Sequence, residues 1–266
     1  MNAFVRLSGD LPSVQKSFFR NFVAFFFALI ILIRSKEKIR LTKESLPFLL
    51  MRSVFGTLGI LCNFYAVDHL VLSDASMLNK MSPFFAVLFS SVFLKEKLSV
   101  VQALGVFAAF GGSLFIIKPT LSNMALIPSL LGLLGGIGAG AAYSAVRKLG
   151  LMGVKGPFVV FFFSGFSCLV TLPFLIFDFV PMTLIQVLTL LGAGLAAAGG
   201  QFSITAAYYY APAREISVYD YSQIIFAAIL GYILFGQIPD AYSFLGYFII
   251  IGVAVIMFFY NNRKKK

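Results

Sequence analysis

Hydrophobic residues dominate this chain in long continuous runs, which only short polar segments interrupt from Phe18 to Tyr260. Most runs reach about 18 to 25 residues, enough for a helix to cross a hydrocarbon core of roughly 30 Å. They predict nine membrane helices, at residues 17–34, 46–67, 72–94, 100–117, 125–148, 156–177, 183–208, 213–236 and 241–260. Continuous runs favour helices over barrel strands, which would alternate and span only about 10 residues. The predicted fold class is therefore all-α and integral to a membrane.

The distribution of charge agrees with a membrane protein. Only 12% of the residues are charged and 60% are hydrophobic, whereas a soluble domain has about 25% charged residues. A net charge of +11 could indicate a nucleic-acid binder, but the positive residues concentrate in connecting segments such as 34–45 and in the tail 263–266. This pattern is typical of cytoplasmic loops. We therefore expect no nucleic-acid partner and a cytoplasmic C-terminus.

The same orientation leaves the N-terminal segment outside, although it carries Arg6, Lys16 and Arg20. This conflict with the charge rule suggests that a helix is missing upstream.

The sequence contains no group of residues that is typical of an enzyme active site. His69 is the only histidine, and Cys62 and Cys168 fall inside predicted helices, where cysteine behaves as a small apolar residue. We find no nucleophile–base set and no phosphate-binding loop. The expectation is a protein without catalytic activity, metal site or cofactor.

The two halves of the chain are weakly similar. A shift of 141 residues places Asp74 over Glu215, Gly105 over Gly246 and Gly111 over Gly252. Because the helix from Leu72 starts outside and its counterpart starts inside, the equivalent segments are predicted to run in opposite directions, as in secondary transporters with inverted repeats. The predicted repeats are residues 1–120 and 121–266, with four and five helices.

Two charged residues, Lys80 and Asp220, lie well inside predicted helices and at similar depth. A charge in mid-membrane costs about 3 kcal/mol or more unless it faces a partner or a wet cavity. One interpretation is a cavity with one cationic and one anionic group, suited to a zwitterionic or polar metabolite. The other is a buried ion pair that locks helices together.

Other polar residues extend the candidate cavity. They are Tyr221, Tyr219, Asn63, Tyr143, Gln201, Gln223 and Ser76. Tyrosine suits aromatic or heterocyclic substrates, while each residue alone also fits a hydrogen bond between helices.

Three further residues have predicted roles within the helices. Pro83 should kink its helix, either for gating or as a static bend, and we expect it to share a helix face with Ser76 and Lys80. Arg20 and Arg52 are expected to snorkel to the membrane interface without a role in substrate binding.

Several segments resemble a known family. They are LPSVQKSFFRNF near the start, LSDASMLNKMSPFFAVLFSSVFLKEKLSVVQALGVFAAFGGSLFI in the first half, and the matching stretch up to Met257. Over nearly its whole length the chain resembles the EamA-type transporters of the drug/metabolite transporter superfamily. The resemblance implies ten helices in two inverted halves of five, and a central cavity lined largely by the third, fourth, eighth and ninth. The chain departs from this pattern because MNAFVRLSG looks like only the end of the first helix.

The resemblance implies transport of small metabolites such as amino acids, nucleotides or vitamins. We therefore expect a secondary transporter that moves an amino acid, nucleoside, vitamin or related compound by alternating access, with Asp220 as the candidate for proton coupling. The alternative is a non-transporting membrane protein left inactive by loss of the first helix. The expected partners are a small-molecule substrate and the lipid bilayer, and the expected location is a bacterial inner membrane. The sequence indicates no oligomeric state.

Overall fold

The computed structural model describes residues 1–35, 42–93, 99–118, 125–211 and 222–263. Within these ranges the secondary structure is entirely helical. The helices are α1 (Asn2–Leu7), α2 (Ser13–Ser35), α3 (Leu46–His69), α4 (Leu72–Asn79), α5 (Ser82–Phe93), α6 (Val100–Ile117), α7 (Leu126–Leu151), α8 (Gly156–Phe177), α9 (Leu184–Tyr210), α10 (Ser222–Phe235) and α11 (Ala241–Arg263).

Seven of the described helices are long and apolar enough to cross a membrane: α2, α3, α6, α7, α8, α9 and the Ala241–Tyr260 part of α11. Their outer faces expose large apolar side chains, among them Phe107, Ile176 and Phe248. Such an extended apolar surface would be unfavourable in water and is what lipid contact requires. The protein is an integral membrane protein.

The predicted helix at 72–94 is wrong as a single element, because the chain forms two helices separated at Lys80 and Met81. Pro83 explains the break, since it has no N–H to donate to the carbonyl of Asn79, four residues earlier, and its ring crowds that carbonyl. The count of nine helices stays a prediction, because residues 213–221 of the predicted helix 213–236 lie outside the described part of the chain.

Helices α6 and α11 pack against each other in antiparallel fashion. A Cβ atom added to Gly105 would overlap Met257, and one added to Gly246 would lie 2.7 Å from Ile116 Cγ1. The shift of 141 residues maps Gly105 onto Gly246 and Ile116 onto Met257. The two contacts are therefore equivalents of each other, as expected when two similar halves are related by a two-fold axis.

The rest of the bundle is arranged around α3 and α7. Helix α7 packs on α3, α4 and α5, while α2 packs on α8 and α9, and α4 contacts α10. Glycines allow the closest approaches: Gly136 of α7 faces the backbone carbonyls of Leu78 and Asn79, and Gly135 faces the backbone of Gly59. Small residues at such contacts let helix backbones approach each other in a membrane.

Candidate functional site

A cavity of about 590 Å³ lies inside the bundle, between α1, α2, α3, α4, α7, α9 and α10. Both halves of the chain therefore contribute to its wall. Six of the predicted residues line this cavity: Lys80, Asn63, Tyr143, Gln201, Gln223 and Ser76. Asp220, Tyr219 and Tyr221, which were also predicted, lie outside the described residues.

Pro83 does not line the cavity, and the prediction that it shares a helix face with Ser76 and Lys80 was wrong. The reason is the break between α4 and α5, which interrupts the helical periodicity after Asn79. Pro83 is buried in the first turn of α5 instead.

The break determines where Lys80 lies. Lys80 is the C-terminal capping residue of α4, and its backbone N–H donates to the carbonyl of Ser76 at 3.0 Å. The last carbonyls of a helix carry partial negative charge, which stabilises a nearby cation. The interrupted helix therefore places the amine of Lys80 on the cavity wall.

Arg20 and Arg52 are buried, with 5% and 3% of their surfaces exposed, so the prediction that they snorkel to the interface was wrong. Their guanidinium carbons lie 5.9 and 3.9 Å from the ring centroid of Phe163 in α8. Gly56 makes room for Arg52, because a Cβ atom there would overlap the guanidinium. Of the two arginines, Arg20 lines the cavity.

Neutral side chains hold Arg20 in position. Its Nη1 donates to Asn21 Oδ1 at 2.6 Å, and its Nη2 donates to Gln201 Oε1 at 3.3 Å. Asn21 in turn donates through Nδ2 to Ser167 Oγ at 2.8 Å. These bonds connect α2 with α8 and α9, so the guanidinium is oriented before any ligand arrives.

Two asparagines and one tyrosine, Tyr143, add to the polar surface of the cavity. Asn2 donates through Nδ2 to Ser76 Oγ at 3.4 Å, whereas Asn63 Oδ1 is buried without a hydrogen-bond donor among the described residues. The ring of Tyr143 stacks on that of Tyr208 with centroids 4.5 Å apart. The cavity thus presents cationic, amide and aromatic groups together.

Polar contacts close one end of the bundle, which we call the Asp68 end. Lys16 Nζ donates to Asp68 Oδ1 at 2.6 Å, and Arg6 Nη1 donates to the carbonyl of Val67 at 3.0 Å and also to that of Leu70. Residues 1–3 at the start of α1 line the cavity, Arg6 near its end makes the contacts with α3, and Val5 is fully buried. Helix α1 therefore separates the cavity from the Asp68 end.

A second ion pair at this end joins Lys118, after α6, to Asp240, before α11. Slight burial raises the pKa of Asp240, but hydrogen bonds from Lys118 and Ser243 lower it, and the net shift is downward. This pair is largely exposed to solvent, in contrast to Lys16 and Asp68.

Residues 3–118 match the sequence pattern of a protein family, the EamA-like transporter family, and residues 126–259 match the same pattern a second time. The chain belongs to this family. The double match shows that both halves carry the same family repeat. Membership supports membrane transport, rather than catalysis, as the activity of the protein.

Relatives in the family include named transporters. The pseudopaline exporter CntI of Pseudomonas aeruginosa (strain UCBPP-PA14) is 33% identical over 268 residues, covering 100% of this chain and 92% of the exporter. The riboflavin transporter of Brucella anthropi is 26% identical, over 93% of this chain and 88% of its own length. Human solute carrier family 35 member G1 is 27% identical, over 89% of this chain and 68% of its own length.

A solved crystal structure also resembles the fold. It superposes with a TM-score of 0.70, covering 100% of this chain and 96% of the other, at 14% sequence identity. At this identity the likeness extends to the fold alone, and activity cannot be inferred from it.

Four polar residues on the cavity wall were not predicted: Arg20, Asn79, Asn2 and Ser203. Arg20 carried only a weak signal, because it is a charged residue inside an apolar segment but lies near the end of that segment, unlike Lys80. Asn79 and Asn2 carried none, since a single amide in a helix is common at helix contacts.

Proposed function

We propose that the protein is a secondary transporter that moves a small polar or zwitterionic metabolite across the membrane by alternating access. The observation that carries this proposal is the polar cavity of about 590 Å³ inside an apolar bundle, with walls from both family repeats. Removing so many polar and charged groups from water would be costly in a purely structural bundle. A hydrated binding site removes that cost.

We propose that the two repeats are residues 1–120 and 121–266, with four and five membrane-crossing helices of inverted topology. The antiparallel contact between α6 and α11, with its equivalent glycine contacts, supports this division. Substrate sites of inverted-repeat transporters lie near the bilayer midplane, between the repeats.

The proposed substrate contacts are Lys80, Asn63, Tyr143, Gln201, Gln223 and Ser76, all of which line the cavity. Asp220, Tyr219 and Tyr221 remain proposed on the sequence argument. Lys80 would then face one charged group of a zwitterion and Asp220 the other. Pro83 has a static role in this scheme, because it sets the helix break that places Lys80 on the cavity wall.

Alternating access requires that one side of the cavity is closed while the other is open. The contacts of Arg6 with Val67 and Leu70, and of Lys16 with Asp68, support a closed Asp68 end in this conformation. Charge placement in the loops supports a cytoplasmic C-terminus, with the Asp68 end outside. The Pseudomonas relative supports a bacterial inner membrane as the location.

The proposal is tested by reconstituting the full chain into liposomes and measuring counterflow of radiolabelled amino acids, nucleosides and vitamins. We expect at least one compound to accumulate saturably above the level in protein-free liposomes. If a correctly folded sample moves none of these classes, the inactive-protein alternative is favoured. A sharp thermal unfolding transition of the same sample shows that it is folded.

A further inference from the structure

We propose that the cavity binds an oxyanion group of its substrate, a carboxylate or a phosphate, at the guanidinium of Arg20, with Arg52 behind it. The inference rests on the proposed transport function and names the chemistry of the substrate. It depends on two buried cations that share one aromatic ring and have no acidic partner among the described residues.

Burial is the first observation. Arg20 and Arg52 expose only 5% and 3% of their surfaces, yet neither forms an ion pair with a carboxylate in the described part of the chain. Buried cations are normally compensated by an anion, because desolvation is costly. Two positive charges around Phe163 also repel each other, so the compensation must come from elsewhere.

The hydrogen bonds of the two guanidiniums are the second observation. Each guanidinium has five N–H donors and no acceptor. Arg20 donates to Asn21 and to Gln201, both neutral, and its Nε has no partner. Arg52 donates to no acceptor within the described ranges, and its Nε is buried. Most of the donor capacity of the two guanidiniums is therefore not used by protein groups in the described part of the chain.

The contact with Phe163 does not supply the missing compensation. A guanidinium over an aromatic face gains a modest attraction, which is only a fraction of the cost of burying an unpaired cation. A structural role for both arginines would thus leave the site destabilising. Glycine at position 56 leaves room for the Arg52 guanidinium beside Phe163, because any larger side chain there would overlap it. The local sequence is therefore compatible with two buried arginines around one ring, although the pair is unfavourable without a ligand.

The rest of the cavity favours an anion in the same way. Lys80 and Arg20 are the charged side chains on its wall, and no aspartate or glutamate of the described residues lines it. Arg20 is held by side chains of α2 and α9, so it can present a fixed fork of donors to a planar or tetrahedral oxyanion. A carboxylate or phosphate would satisfy these donors and neutralise the site.

The experiment compares ligands that differ only in the oxyanion group. Purified full-length protein in detergent is titrated with nicotinate and nicotinamide, pantothenate and pantothenol, and uridine monophosphate and uridine, while thermal unfolding is followed. We expect the anionic member of at least one pair to raise the unfolding midpoint more than its neutral counterpart. The first two pairs report on a carboxylate and the third on a phosphate.

Variants then assign the effect to the arginines. Arg20→Gln is expected to weaken binding of the anionic member by about 10- to 100-fold, as loss of a charged hydrogen-bond partner does. Arg20→Lys keeps the charge and should retain part of the preference for the anion, which a purely structural role would not predict. Arg52→Gln should weaken binding less, because Arg52 does not line the cavity. Arg34→Gln is the control, since Arg34 is exposed at the far end of the same helix.

Two results would overturn the inference. One is an equal effect of both members in every pair, including no effect of either. The other is a preference for the anion that survives in Arg20→Gln. Counterflow with the same compounds distinguishes failure of the oxyanion site from failure of the proposed transport function. If a neutral member is transported as well as its anionic counterpart, the protein is still a transporter, and only the oxyanion site is rejected.

Discussion

Two lysine–aspartate pairs at the Asp68 end differ in burial, and this difference determines how much each stabilises the protein. Lys16 is fully buried and Asp68 is 19% exposed, whereas Lys118 and Asp240 are 35% and 50% exposed. Removing one partner of a buried pair leaves the other charge uncompensated, while an exposed pair is screened by water.

We therefore predict that Asp68→Asn lowers the free energy of unfolding by about 2–3 kcal/mol, somewhat less than for a fully buried pair. The matched substitution Asp240→Asn should change it by only about 0–1 kcal/mol. Thermal unfolding of both variants in the same detergent measures the difference. Equal destabilisation by the two substitutions would contradict the assigned role of the buried pair.

Charged side chains were predicted with unequal success, and the reason is geometric. Lys80 lies far enough from both ends of its apolar segment that only a cavity or a partner could accommodate it. Arg20 and Arg52 lie nearer to the ends, where their length would allow snorkelling. Their helices are apolar on most faces, so the sequence does not indicate that both side chains point towards Phe163.

Helix α7 contacts the break between α4 and α5 through glycine. A Cβ atom at Gly136 would lie 2.6 Å from the carbonyl oxygen of Leu78, a backbone atom that cannot move without shifting α4. Gly111 in α6 has no atom within 4 Å of such a Cβ. The two glycines thus form a matched pair for testing how closely the helices must approach.

Gly136→Ala is predicted to destabilise the protein by about 1–3 kcal/mol, the usual cost of overpacking. Gly111→Ala should be neutral or slightly stabilising, because alanine favours a helix by about 1 kcal/mol relative to glycine. The measurement is a comparison of the thermal unfolding midpoints of the two variants with that of the unmodified protein. An unfolding midpoint of Gly136→Ala at or above that of Gly111→Ala would show that α7 and α4 pack less tightly than described.

Most helices were predicted within a few residues, because each is a long apolar run between polar segments. The helix at 72–94 was the exception, although Pro83 was visible in it. A proline in a membrane helix is compatible with a kink as well as with a break. Packing of α7 against the carbonyls of Leu78 and Asn79 is a tertiary feature, and no local pattern predicts it.

For the complete chain, the repeat was the strongest signal in the sequence. The shift of 141 residues maps the contact between Gly105 and Met257 onto the contact between Gly246 and Ile116, across α6 and α11. The cavity was predicted only in outline, since its walls come from helices far apart in sequence. Predicting the lining residues requires knowing which face each helix turns towards the cavity. These helices are hydrophobic on nearly all faces, so the sequence does not specify that orientation.

The central claim is that the substrate passes through this cavity, and two adjacent glycines in α9 test it directly. Gly200 lines the cavity and Gly199 does not, and a Cβ atom at either position would meet nothing within 4 Å. Replacement by leucine therefore adds the same volume and the same helix propensity at both sites, but only at position 200 does it fill the cavity.

Counterflow into liposomes of a transported compound should accordingly be measured for Gly200→Leu and Gly199→Leu. We expect Gly200→Leu to reduce the initial rate by about tenfold or more, equivalent to at least about 1.4 kcal/mol lost in occupancy of the cavity. Gly199→Leu should transport like the unmodified protein. Unimpaired transport by a folded Gly200→Leu protein would contradict the account.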